Sequence, residues 1–235
     1  MEHQNAIAFL LTGRFARFSD PVTRVGGEKT SYLVPTYEAL KGVCESIYWK
    51  PTFQWYVDSV RVINPFQSQS KGMRPISLRE GPATLSIYTY LQDVRYEVRA
   101  HFEWNPLRAD LMADRNEHKH FFMAQRSLER GGRRDIFLGT RECQGYVEPL
   151  PDAPLHGAFD SLERMTFGNM FHGFDYGDTG SGGQMAARFF EPEMLRGIIT
   201  FPRPEMCTVR RAVKPLEGKS FVLGETLRPV EEESL

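Results

Sequence analysis

Val94-Arg-Tyr-Glu-Val-Arg-Ala-His-Phe-Glu-Trp104 alternates without a break: Val94, Tyr96, Val98, Ala100, Phe102 and Trp104 are separated by Arg95, Glu97, Arg99, His101 and Glu103. A period of two sends the first set to one face of a strand and the second set to the other. One face is therefore buried, and the other meets water or a polar partner. Asn105-Pro106 ends the run. Upstream, Phe53 to Ile63 is rich in β-formers (Trp55, Tyr56, Val57, Val60, Val62) and stops at Asn64-Pro65. Before it, Thr36 to Trp49 predicts a helix, because Leu40, Val43, Cys44 and Ile47 fall at i, i+3, i+4 and i+7, with Pro51 as the stop. Ala6 to Phe15 is mostly apolar and predicts a buried strand.

Downstream, Asp114 with Glu117 three positions on has the form of a capping signal for a second helix, which Gly131-Gly132 closes. Arg134 to Thr140 predicts a further strand. The order is strand, helix, strand, strand, helix, strand, the split βαβ order of ferredoxin-like folds and of RNA-recognition modules. Many unrelated proteins share that order. Pro149, Pro151 and Pro154 mark a boundary, dividing the chain into 1–150 and 151–235. Beyond them Arg164 to Tyr176, Met185 to Glu191, Gly197 to Phe201 and Cys207 to Val213 predict short strands, with Gly177 to Gly183 as a hairpin loop. The expected fold class is α+β: a ferredoxin-like, RRM-like N-terminal domain followed by a small β-rich C-terminal domain with an acidic tail.

Composition narrows the classes. At 235 residues and 41% hydrophobic content the chain can bury a substantial core. The longest apolar run, Ala6 to Leu11, is far short of a membrane span, and Glu2 and His3 do not form the basic start of a signal peptide. Cys44, Cys143 and Cys207 lie far apart with no CxxC pair, which points to a reducing cytoplasm. A net charge of -1 argues against a general nucleic-acid coat protein. Charge is uneven, however. From Arg115 to Gly145, seven cations (Arg115, Lys119, Arg126, Arg130, Arg133, Arg134, Arg141) outnumber four anions (Glu117, Glu129, Asp135, Glu142). The tail after Val213 is acidic. A local basic surface binds phosphate even on a near-neutral protein.

Several chemical signals are weak. The Gly177 to Gly183 loop is followed by Gln184-Met185 rather than by Gly-Lys-Ser/Thr, so a plain turn outweighs a phosphate cradle. His118 and His120 fall on the second helix, where i and i+2 do not share a face, which disfavours a zinc site. Asp110 and Asp114 could hold a divalent ion, but on a charged connecting loop such carboxylates are more often only solvated. No GxSxG elbow is present. Arg24 and Lys29, on a turn-rich loop, are candidate phosphate contacts. If Asn116-Glu-His-Lys-His120 opens the helix, Lys119, Met123, Arg126 and Arg130 line one face, and Phe121, Ala124 and Leu128 line another that packs on the sheet. A cationic stripe at a helix start suits an RNA phosphate, although spacing alone favours an ordinary solvated face. Tyr48 sits about 100° around from the apolar stripe, at the edge of the core.

Longer blocks carry more. Asp20-Pro-Val-Thr-Arg-Val-Gly-Gly-Glu-Lys29, Val34-Pro-Thr-Tyr-Glu-Ala-Leu-Lys-Gly42, Glu45-Ser-Ile-Tyr-Trp-Lys-Pro51, Arg99-Ala-His-Phe-Glu-Trp104, Ala113-Asp-Arg-Asn-Glu117, Gly131 to Pro149 and Met170-Phe-His-Gly-Phe-Asp-Tyr176 together resemble the type I-C (Dvulg) form of the Cas-five family of CRISPR-associated proteins. The resemblance implies the two-domain fold above and an endoribonuclease that binds the hairpin of CRISPR repeat RNA and cuts at its base without metal or other cofactor. It also implies that the protein stays with the mature guide RNA beside the backbone and large subunits of the complex. The family's trio falls on Tyr48, Lys119 and His120. Arg24, Lys29, Arg126, Arg130, Arg133 and Arg134 are the expected RNA contacts. Two alternatives stay open: a subunit that caps the 5′ handle without cutting, and a duplex-DNA-binding module.

Metal-free cleavage uses the 2′-hydroxyl as nucleophile. His120, titrating near neutrality when unperturbed, is the natural acid or base. Lys119 can steady the charge on the phosphate. Tyr48, with a reference pKa of about 10, orients the 2′-hydroxyl unless Lys119 lowers its pKa. The expected ends are a 2′,3′-cyclic phosphate and a 5′-hydroxyl.

Overall fold

The computed structural model describes residues 5–19, 28–74, 85–176 and 183–215. Its elements are β1 (Ala6–Ala16), β2 (Glu28–Lys29), α1 (Tyr37–Ile47), β3 (Phe53–Val62), β4 (Ser68–Met73), β5 (Ser86–Trp104), α2 (Glu117–Glu129), β6 (Ile136–Phe137), β7 (Gln144–Pro149), β8 (Met165–Thr166), β9 (Met170–Asp175), β10 (Gln184–Phe190), β11 (Glu193–Leu195), β12 (Ile198–Thr200) and β13 (Val209–Pro215). The class is mixed α/β with mostly antiparallel sheets. The large sheet runs β6-β7-β1-β5-β3-β12-β11-β8, with β2 and β4 also paired to β5. A smaller sheet runs β13-β10-β9. Among the described residues, β2 pairs with β5 in parallel and the other ladders are antiparallel.

The alternating stretch is the centre of the molecule. Val98 pairs with Phe9 of β1 on one side and with Val60 of β3 on the other. Val98, Ala100 and Phe102 are fully or almost fully buried, and so are Phe9 and Leu11 of β1 and Trp55, Val57, Val60 and Val62 of β3. Onto this face pack Leu40, Val43, Cys44 and Ile47, all four members of the predicted α1 stripe, and Ala124 and Leu128 of α2. Each buried Val, Leu, Ile or Phe among them contributes about 1.5–3 kcal/mol. Val57 and Val60 share a face although they are three positions apart, because the register shifts between Val57 and Ser59. The extra residue, Asp58, bends the ladder locally and meets His101 on the polar face.

Expected boundaries shift in four places. β5 begins at Ser86 and gains β4 as a hairpin partner. The strand expected over Arg134–Thr140 shrinks to Ile136–Phe137, and the strand that pairs with β1 is Gln144–Pro149. The reason lies at Gly139, whose φ of 89° breaks extension and whose missing Cβ makes room for the Arg17 carbonyl. Arg164–Tyr176 divides into β8 and β9 around Gly168, at φ 69°. β11, a three-residue strand, had no visible sequence pattern. The loop holding Arg24, most of the Gly177–Gly183 turn and the acidic tail lie outside the described residues. No helix among the described residues is long and apolar enough to cross a membrane.

Candidate active site

α1 ends at Ile47, and Tyr48 leaves the helix in extended backbone (φ -158°, ψ 130°). Its N–H still donates to the Cys44 carbonyl at 3.0 Å, and its own carbonyl accepts from Trp55 Nε1 at 2.7 Å. Those bonds turn the phenol inward. The ring packs on Phe53, with centroids 5.6 Å apart, and carries the Arg133 guanidinium 4.5 Å above its centroid. Helical spacing had left Tyr48 at the core edge. The structure corrects this, because the side chain is fully buried and its hydroxyl lies 2.9 Å from His120 Nδ1. The Met123 sulfur lies 3.4 Å from the same hydroxyl.

α2 starts later than the Asp114 capping signal suggested. Asn116 is the cap, and its side-chain oxygen accepts from the Lys119 N–H at 3.0 Å. Asp114 instead closes a 3₁₀ turn over Ala109–Asp114, which leaves its carboxylate off the helix cap, while its carbonyl takes the Asn116 N–H at 2.9 Å. Its carbonyl also accepts from His120 Nε2 at 2.8 Å, and its carboxylate takes a 2.7 Å hydrogen bond from Thr52 and the ammonium of Lys119. Carboxylate Oδ2 is 3.4 Å from His120 Nε2. A carbonyl can only accept, so His120 carries its hydrogen on Nε2 when neutral. Nδ1 is then an acceptor, and Tyr48 O–H donates to it. Phe53, Trp104 and Phe102 stand 5.2, 5.8 and 6.4 Å from the imidazole and wall it in.

The electrostatics follow from these contacts. The Lys119 hydrogen bond, helped by Thr52, pulls the Asp114 carboxyl down to about 2. Burial pushes the Tyr48 phenol above its ordinary value, and Asp114 adds to the rise while Arg133 opposes it. The expected helper, Lys119, is engaged with Asp114, and the cation on Tyr48 is Arg133. Tyr48 and His120 are both 0% exposed, whereas the Lys119 side chain is 45% exposed. The structure thus brings the trio into one network across 72 residues of sequence.

The six expected RNA contacts scatter more widely. Arg133 joins the network through Tyr48 and through Nε, which donates to Ser127 at 3.2 Å. Arg126 and Arg130 are exposed on α2, and Arg134 is exposed with a 3.3 Å bond to the Glu45 carbonyl. Lys29 sits on β2 against Tyr88, 3.2 Å from its hydroxyl and over its ring. Arg24 lies outside the described residues. His118 is exposed where His120 is buried, so the pair does not converge. Among the described residues no group of three or more His, Cys, Asp or Glu side chains is placed to hold a metal ion. Asp114 and Thr52 are the members of the network that sequence reasoning missed. Asn116 carried the competing capping signal that would have released Asp114.

Similarity to known proteins extends over most of the chain. A family model, Cas_Cas5d, described as CRISPR-associated protein (Cas_Cas5), matches residues 6–202. The chain is 26% identical over 226 residues to the CRISPR pre-crRNA endoribonuclease Cas5d of Mannheimia succiniciproducens, spanning 84% of this chain and 95% of that protein. It is 30% identical over 158 residues to the protein of the same name from Thermus thermophilus, spanning 61% of this chain and 66% of that one. Two crystal structures superpose with a TM-score of 0.74: a functionally uncharacterised Streptococcus mutans protein at 34% identity and a CRISPR-associated protein at 35%. Each alignment covers 88% of this chain and 96% of the other.

Proposed function

Since the chain belongs to the Cas_Cas5d family of CRISPR-associated proteins, we propose that it is an endoribonuclease that processes CRISPR precursor RNA, with Tyr48, Lys119 and His120 as its cutting centre. The observation that carries this reading is the 2.9 Å contact between the Tyr48 hydroxyl and His120 Nδ1. A hydroxyl donating to an imidazole whose other nitrogen is held is the arrangement that moves a proton off an oxygen. The elevated phenol pKa would defeat a free tyrosinate, but a relay needs none. The 2′-hydroxyl passes its proton to the Tyr48 oxygen as Tyr48 passes its own to His120 Nδ1. The 2′-oxygen then forms its bond to phosphorus, the bond from phosphorus to the 5′-oxygen breaks, and the leaving oxygen takes a proton from water. Lys119 steadies the added negative charge. The ends are a 2′,3′-cyclic phosphate and a 5′-hydroxyl.

The pair is closed to solvent, so RNA must open it. The movable cover is the Arg133 guanidinium on the phenol and the half-buried Met123 thioether beside the hydroxyl. Guanidinium pairs strongly with phosphate, so an arriving backbone draws Arg133 off the ring. Arg126, Arg130 and Arg134 extend the cationic surface, with Lys29 and Arg24 contacting the transcript farther along. The order β7-β1-β5-β3, with both helices contributing to one core, supports a ferredoxin-like unit over 1–150 and a β-rich unit over 151–235. On this reading the protein keeps the mature guide RNA and joins the backbone and large subunits of the type I-C complex, with duplex DNA as a secondary partner.

The test is digestion of the cognate repeat RNA in excess chelator, beside a substrate with a single 2′-deoxy substitution 5′ of the cut. Cutting that survives chelator, fails on the deoxy substrate and leaves cyclic phosphate ends is expected. Loss of cutting in chelator, or normal cutting of the deoxy RNA, overturns the mechanism. His120→Ala should bind the repeat and leave it whole; a variant that cuts normally removes His120 from the centre.

A further inference from the structure

The ring nitrogen that the relay does not use is also built into the network. Asp114 reaches it twice: its carbonyl accepts from Nε2 at 2.8 Å, and carboxylate Oδ2 stands 3.4 Å away. Thr52, just beyond α1, anchors that oxygen at 2.7 Å. Lys119 occupies the other oxygen. We propose that Asp114 is a positioning residue that completes a Tyr48–His120–Asp114 relay, holding the imidazole in its Nε2–H form and steadying the imidazolium that forms when Nδ1 takes the proton.

The proposal rests on the reading above that His120 receives the proton. Hydroxyl, imidazole and carboxylate lie in sequence, as in serine hydrolases, with a phenol as the first member and the two ring nitrogens exchanged. The low pKa of Asp114 keeps it anionic through the working range. In free protein it also neutralises Lys119. Once a phosphate claims that ammonium, the carboxylate has one partner fewer and an imidazolium to face. Asp114 is therefore a stand-in for the RNA anion before binding and a counter-ion to His120 after it.

Besides Asp114, the groups facing His120 are Tyr48 from the end of α1, Lys119 from α2, and Arg133, reached through Tyr48; Phe53, Phe102 and Trp104 supply the apolar walls. Asp114→Asn keeps the shape and the backbone carbonyl but removes the charge. Single-turnover cutting of repeat RNA by Asp114→Asn should fall about 10- to 100-fold, less than when a tautomer is also lost. RNA affinity should hold or tighten, since an anion beside Lys119 is gone. Asp114→Glu should restore part of the rate. An unchanged rate in Asp114→Asn, or no recovery of rate in Asp114→Glu, overturns the proposal. If circular dichroism shows Asp114→Asn unfolded, Thr52→Val, which removes only the anchor, decides: slower cutting supports the relay and an unchanged rate refutes it. His120→Ala is assayed alongside. Normal cutting there fails the underlying reading, whereas an inactive His120→Ala beside a fully active Asp114→Asn fails only the role of Asp114.

Discussion

Tyr48→Phe removes one oxygen and leaves the ring contacts with Phe53 and Arg133 in place. Nδ1 of His120 then faces an apolar wall without its donor, an arrangement that costs about 1–3 kcal/mol. We predict a lowered thermal midpoint and single-turnover cutting slower by about 10² to 10⁴. A second residue gives a pH signature on the opposite, polar face of β5. His101 Nδ1 lies 2.8 Å from Asp58 and Nε2 lies 3.3 Å from Glu103, which Arg203 grips through two bonds of 2.7 and 2.9 Å. The Asp58 hydrogen bond, its largest cause, raises the His101 pKa above 6.5. Folding therefore favours the charged ring, and its stabilisation is complete below pH 6.5 and fades as pH climbs through the raised value. His101→Gln should flatten the fall in thermal midpoint across that alkaline step; an equally steep fall refutes it. Recognisable motif blocks named Tyr48, Lys119 and His120, but spacing could not show that the backbone leaves the helix at Tyr48 and turns the hydroxyl inward. Asp114 was readable as a helix cap or a charged loop residue, because its contacts with Thr52 and with the His120 ring depend on how the chain folds and not on spacing.

Helix ends, more than helix bodies, set this centre. The α1 stripe was legible because four apolar positions at helical spacing have no other economical placement, and all four are buried. The start of α2 was harder, since Asp114 and Asn116 are both good caps and only packing chooses between them. Asn116→Ala should lower stability by about 1 kcal/mol. Because the same cap fixes the Lys119 backbone, it should also slow cutting more than an equally destabilising change at the far end of α2. Measuring urea midpoints and rates for both variants checks this; rates that merely track stability would remove the cap from the argument. The short strands were less legible for a different reason. Two or three residues carry no period, and Gly139 ends an apparent β run because the Arg17 carbonyl passes where a Cβ would be.

Taken whole, the molecule is joined by β12. Ile198, Ile199 and Thr200 pair with Arg61, Val60 and Ser59, so the late strands extend the sheet built by the early ones. A 1–150 fragment would leave the β3 edge unpaired, with Val60 and Val62 at its margin. We predict that the fragment is recovered mainly as aggregate, while the full chain unfolds in one cooperative transition; a soluble, well-folded fragment would refute this. The same pairing orders events on the ribosome. β3 is finished at Val62 and its outer partner begins only at Ile198, a gap that takes on the order of ten seconds to translate. Throughout that interval neighbouring nascent chains on one message present identical open borders to each other. Crowded polysomes are thus where this protein is most exposed to mispairing, and slowing elongation after the β3 codons should lower the soluble yield even though the finished protein is unchanged.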